Sequence, residues 1–125
     1  MKKVISTTNA PAAIGPYSQA IVHNGVLYVS GQLPIDPASG ELRLGSITEQ
    51  TELVMKNLMA IVEAAGATGD NILKCTILLT DMANFVPMNE IYSKFFPGEP
   101  PARICYQVTA LPRGAAVEVD AICAV

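Results

Sequence analysis

The chain has no tryptophan, one histidine and three cysteines among its 125 residues, and only 15% of them carry charge. Each shortage closes off a class of chemistry. His23 stands alone in the turn-like His23-Asn24-Gly25, and a single imidazole can neither anchor a conventional metal site nor complete a histidine-based triad. Cys75, Cys105 and Cys123 are odd in number and include no CxxC pair, which argues against a disulfide framework or a zinc cluster and predicts reduced, buried thiols. Neither a metal nor a cofactor is expected.

Positive charge is scarce as well. Eight Lys and Arg against eleven Asp and Glu give a net charge of -3 with no basic cluster beyond Lys2-Lys3, whereas neutralising a phosphate backbone takes several spaced cations. Nucleic acid is therefore not an expected partner. No apolar run approaches a membrane span, and Met1 to Asn9 has a basic pair but no continuous apolar stretch of signal-peptide length, so a cytosolic protein without membrane association is expected. What the chain has in plenty is apolar surface: half its residues are hydrophobic, and its charge is below the roughly 25% usual for a soluble domain. Part of that surface is expected to meet another subunit in a homo-oligomer. At this length the chain forms one domain, residues 1–125.

Local signals set the order of elements. Asn24-Gly25 between Ala20-Ile21-Val22 and Val26-Leu27-Tyr28-Val29-Ser30 marks a tight hairpin, because both residues tolerate positive φ. Residues 31–40, broken by two prolines and two glycines, read as a surface loop. Ser46-Ile47-Thr48-Glu49 reads as a capping box, and Val54, Leu58, Ile61, Val62 and Ala65 repeat at helical spacing until Gly66 supplies the stop. A strand over 72–80 follows, then a helix capped by Asn84, with Pro87 in its first turn and Met88, Ile91, Tyr92 and Phe95 along one side. Strands around 102–108 and 116–125 close the chain, and a weak strand near 3–7 opens it. The order β-β-β-α-β-α-β-β spells an α+β fold, a mixed sheet with two helices on one face and a second face left for a partner or for water.

Alternation in the last two strands separates Ile104, Tyr106 and Val108 from Arg103, Cys105 and Gln107, and Val117, Val119, Ala121 and Cys123 from Glu118 and Asp120. With both apolar sets turned to the helices, Arg103, Cys105, Glu118 and Asp120 are expected together on the helix-free face. Arg103 is the most informative of them. A guanidinium on a strand in so lightly charged a chain usually holds an anion, and its planar fork suits a carboxylate through two parallel hydrogen bonds. An internal ion pair with Glu118 or Asp120 is the competing explanation.

Asn9-Ala10-Pro11-Ala12-Ala13-Ile14-Gly15-Pro16-Tyr17-Ser18-Gln19-Ala20, Ser30-Gly31-Gln32-Leu33-Pro34, Pro101-Ala102-Arg103-Ile104-Cys105 and Val117-Glu118-Val119-Asp120-Ala121 resemble, in order and spacing, the Rid family of reactive-intermediate imine and enamine deaminases, specifically its RidA branch. Asn84-Phe85, Asn89-Glu90-Ile91-Tyr92 and Phe95-Phe96 extend the likeness along the whole chain. The resemblance implies a chorismate-mutase-like fold assembled as a homotrimer around a central barrel, with three sites in the clefts between subunits. It also implies 2-iminobutanoate/2-iminopropanoate deaminase activity: hydrolysis of 2-aminoacrylate and other 2-imino acids to 2-keto acids and ammonia, without metal or organic cofactor. Asp120 stands where many members carry a second glutamate, and Gly98-Glu99-Pro100-Pro101 is short beside members with a longer insertion.

In that frame Arg103 is expected to hold the substrate carboxylate, and Glu118 to position or deprotonate a water or to protonate the departing nitrogen. Tyr17 offers a hydroxyl from an ordered loop, unless it merely packs. Ser30 offers a hydroxyl and Gly31 a closely approachable backbone, unless they form an ordinary strand end. Asn89 matches a site-lining asparagine of the family, although a surface amide would explain it equally well. Cys105 is expected to contribute backbone groups only, since little is present to lower its thiol pKa. The alternative function is a regulatory module that binds keto acids in the same clefts without catalysis. Ribonuclease activity conflicts with the acidic composition, and a chorismate-like dicarboxylate asks for more cations than Arg43 and Arg113 in loop-like segments supply.

Overall fold

A computed structural model describes all 125 residues. It contains β1 (Lys3–Ile5), β2 (Ala20–His23), β3 (Val26–Gln32), α1 (Ile47–Ala64), β4 (Ile72–Leu79), α2 (Phe85–Ser93), β5 (Ala102–Gln107) and β6 (Val117–Ala124). This is the expected order of elements. The strands form one mixed sheet in the order β1-β2-β3-β6-β4-β5, in which only β4 and β5 run parallel. The β4-α2-β5 crossover makes that parallel pair possible.

Local chemistry explains the ends of the elements. Asn24 and Gly25 take φ of 49° and 76°, the left-handed conformations that a two-residue hairpin turn demands. At the start of α1 the Glu49 backbone N–H donates to Ser46 Oγ at 3.2 Å, and past its end Gly66 turns left-handed at φ 81°. The inner side of α1 buries Val54, Met55, Leu58, Ile61 and Val62 against Leu27 and Val29 of β3 and Val117, Val119 and Ala121 of β6, while Met88 and Tyr92 of α2 join the same core. Truncating a fully buried leucine here would cost about 2–5 kcal/mol.

Four expectations are corrected. Gly31 and Gln32 are not loop: they extend β3 beyond an irregularity between Val29 and Gln32, and the turn that follows is clasped by an Ile35–Leu42 bridge. Asn84 caps nothing, because it already lies within a 3-10 turn over Met82–Asn84; Asp81 is the capping side chain, its Oδ1 accepting from the Ala83 N–H at 2.9 Å. Phe95 falls past the end of α2 and is half-buried, whereas Phe96 is buried with its ring 4.9 Å from that of Tyr92.

The fourth concerns β5. Its parallel register sets Arg103, Cys105 and Gln107 beside Cys75, Ile77 and Leu79 of β4, all fully buried under the helices. Residues paired side by side share a face, so Arg103 and Cys105 lie on the helix side, while Ile104 and Tyr106, 47% and 49% exposed, lie on the helix-free face. The other apolar set behaves as expected, with Glu118 and Asp120 opposite the buried residues of β6. The reason is physical: the helix-free face is itself apolar, carrying Tyr28 and Ile122 as well as Ile104 and Tyr106, so hydrophobicity did not distinguish the two sides of an edge strand.

Candidate functional site

All the candidate residues except Cys105, which lines neither, fall into two clefts on one protomer. The larger, of about 560 Å³, is walled by Tyr17, Ser30, Gly31 and Glu118, together with Gln19 and Arg113. Glu118 rises from β6 on the helix-free face and crosses close over β3. A Cβ added to Gly31 would sit 2.9 Å from Glu118 Cδ, so any side chain here would push the carboxyl from its place. The carboxyl is half-buried, and its pKa is raised by burial first and by the like charge of Asp120 second. Asp120 is committed elsewhere, its Oδ1 accepting from the Thr76 backbone N–H at 3.1 Å.

The loop that brings Tyr17 to this cleft is pinned by a buried amide. Gln19 Nε2 donates to the carbonyls of Pro11 at 2.7 Å and Thr7 at 3.0 Å, and its Oε1 accepts from the Thr7 N–H at 2.7 Å. Ser30 Oγ donates to the Ser18 carbonyl at 2.6 Å, so its hydroxyl proton is spent on the same loop, leaving lone pairs toward the cleft. On the opposite rim Asn57 Nδ2 donates to the carbonyls of Leu33 and Ile35 at 3.1 and 2.9 Å. Tyr17 itself is 51% exposed in the protomer and forms part of the wall of this cleft.

The smaller cleft, of about 360 Å³, opens on the helix side between α2 and β5, with Arg103, Asn89, Tyr92 and Pro101 in its wall. Arg103 Nη1 donates to Asn89 Oδ1 at 2.6 Å, and the guanidinium carbon stands 5.5 Å from the Phe85 ring centroid and 5.1 Å from that of Tyr92. The chain has two ion pairs, Arg43 with Asp36 and Lys56 with Glu52. Arg103 is in neither, so the competing internal pair with Glu118 or Asp120 is absent. Asn89 likewise is no idle surface amide.

Burial pushes the thiol pKa of Cys75 and Cys123 up to about 11 and raises that of Cys105 as well. Cys105 packs its side chain against the core from the Arg103 side. Gln19 and Arg113 were missed in the sequence. A buried amide that ties a loop leaves no periodic signal, and Arg113 was passed over for its place in Pro112-Arg113-Gly114, where it adopts φ 59° at the rim of the larger cleft.

The arrangement thus places an unpaired cation and a poised carboxyl on opposite faces of the same sheet. Residues 7–125 match the family described as Endoribonuclease L-PSP. The chain belongs to this family, which includes the Rid proteins. It is 52% identical over 122 residues to the mouse 2-iminobutanoate/2-iminopropanoate deaminase, covering 98% of this chain and 90% of that one. Among solved structures, the Rid family protein YyfA from Yersinia pestis superposes with a TM-score of 0.98 at 50% identity, covering 100% of both chains. The E. coli TdcF structure with bound serine gives a TM-score of 0.95 at 38% identity, over 98% of each chain. The fold is that of the Rid proteins. No helix is long and apolar enough to cross a membrane.

Proposed function

We propose that the protein is a cofactor-independent deaminase of 2-imino acids, working in clefts that two protomers complete together. One observation carries this reading: a guanidinium with no carboxylate partner faces a cleft, fixed by a neutral amide and two rings. Such a group is ready for an external carboxylate. The name of the mouse relative supports an imino acid as the substrate, and the serine in the E. coli relative supports a small 2-substituted acid in this fold.

Within one protomer Arg103 and Glu118 cannot address the same small molecule, since the sheet lies between them. The exposed Tyr28, Ile104, Tyr106 and Ile122 give the helix-free face reason to pack against another copy. Closing a homotrimer through this face sets Arg103 of one subunit toward Glu118 and Tyr17 of the next. Substrate carboxylate then lies on Arg103, and C2 of the imine lies near a water held by Glu118. The water oxygen bonds to C2 and its proton passes to the carboxylate. That proton goes to the nitrogen as the C=N π pair moves there, giving the carbinolamine; the carbinol O–H proton then passes through the same carboxylate to the amine as the C–N bond breaks and C=O forms, releasing ammonia and the 2-oxo acid. An enamine such as 2-aminoacrylate enters after tautomerising to 2-iminopropanoate. A carboxyl whose pKa is raised by burial is better able to take up and return the proton than an exposed one.

The test is hydrolysis of 2-iminobutanoate generated in place by a dehydratase. Purified protein should hasten its loss, and Arg103→Ala should lower kcat/KM by about 10² or more. Equal turnover in that variant overturns the reading. Absence of turnover in the unaltered protein, with 2-oxobutanoate bound saturably and lost in Arg103→Ala, would replace it with the regulatory module.

A further inference from the structure

We propose that Phe85 and Tyr92 are positioning residues that, with Asn89, turn one face of α2 into a clamp fixing the plane and the free edge of the Arg103 guanidinium before a ligand arrives. The proposal rests on the reading of Arg103 as the carboxylate anchor. Phe85, Asn89 and Tyr92 are spaced four and three residues apart, and so share one helix face. Both ring centroids lie within 6 Å of the guanidinium carbon, the range of cation–π attraction.

The clamp is anchored from behind. Tyr92 is 5% exposed, belongs to the core and meets Phe96 in a tilted ring pair, while Phe85 packs against the same core. An exposed arginine on an edge strand otherwise samples many rotamers, and a ligand would have to overcome that freedom. Rings and amide remove that freedom in advance.

Every clamp member is neutral. A guanidinium has five N–H donors, and Asn89 occupies one Nη. A carboxylate in the place of Asn89 would hold the cation more tightly, yet it would cancel the charge an incoming acid must feel. Two ring faces and an amide oxygen restrain Arg103 while leaving its positive charge and remaining donors available.

The experiment compares Phe85→Leu, Phe85→Tyr and Asn89→Asp. With 2-oxobutanoate as the probe in calorimetry, Phe85→Leu should weaken binding about 5- to 10-fold and raise KM in step, with kcat within twofold, while Phe85→Tyr restores both. Asn89→Asp should weaken binding more than Phe85→Leu despite keeping the hydrogen bond. The guanidinium NMR signals of Arg103, identified by their loss in Arg103→Lys, should show slow Nη rotation in the unaltered protein and fast rotation in Phe85→Leu. That readout needs no turnover, so it decides the clamp even where the deaminase reading fails. Unchanged probe affinity in Phe85→Leu, slow rotation retained in that variant, or a loss of affinity that Phe85→Tyr does not restore overturns the clamp.

Discussion

The Glu118 cleft and the Arg103 cleft are built by different means. Around Glu118 the walls are loops and the end of β3, and buried amides hold the loops: Gln19 ties the segment from Thr7 to Pro11, Asn57 ties Leu33 and Ile35, and Gln50 joins the Gly45 carbonyl to the Ala116 N–H. Around Arg103 the wall is a helix face of rings and one amide. The difference follows from what each group must do. An acid that must both release and accept a proton benefits from desolvation, which raises its pKa, and irregular backbone can surround it only where every polar group is satisfied. A cation that must keep its charge stays at an accessible edge, steadied by π faces.

The sharpest way to break this comparison is complementation. Arg103→Ala and Glu118→Gln should each be nearly inactive, the second losing about 10²–10⁴ in kcat. Refolded together as a 1:1 mixture, they should regain about one quarter of full activity, because a symmetric assembly then pairs an intact Arg103 with an intact Glu118 at a quarter of its interfaces. No recovery in assemblies shown by mass spectrometry to be mixed would mean that the two clefts do not cooperate across subunits.

A smaller effect tests the loop side alone. Gln19→Leu strands the Thr7 N–H and two carbonyls, and should lower stability by about 3 kcal/mol in denaturant titration. The equivalent surface change Glu90→Gln should leave stability within about 0.5 kcal/mol.

The smallest expected effect concerns pH. Because the Glu118 pKa is raised in the folded state, ionising it opposes folding: its contribution to stability is fully present below the ordinary value of 4.5 and is lost as pH rises through the raised one. Glu118→Gln should therefore melt slightly higher than the unaltered protein at neutral pH, with the gap closing on acidification. A gap of opposite sign would place a stabilising partner on that carboxyl.

The order of elements was legible because its signals are local. Asn24-Gly25 fixes a hairpin and Ser46 to Glu49 fixes a helix start whatever the rest of the chain does. Arg103 and Glu118 stood out by charge in a sparsely charged chain. The face of β5 was not legible, since alternation separates two sets of side chains but does not say which meets the helices; that is decided by pairing with β4, across a crossover. The same limit hid Gln19, whose partners lie 8 to 12 residues away, and put a capping side chain at Asn84, where the chain instead uses Asp81 to cap the 3-10 turn before α2.

Since β5 has only β4 beside it, a slip of one residue along that neighbour would turn Ala102 or Ile104 inward and swing Arg103 out to the far side. Pro100 and Pro101, with restricted backbone angles, lead straight into β5 and leave the approach little slack to absorb such a slip. Lengthening the approach by a single residue should therefore do more harm than replacing any one residue within it.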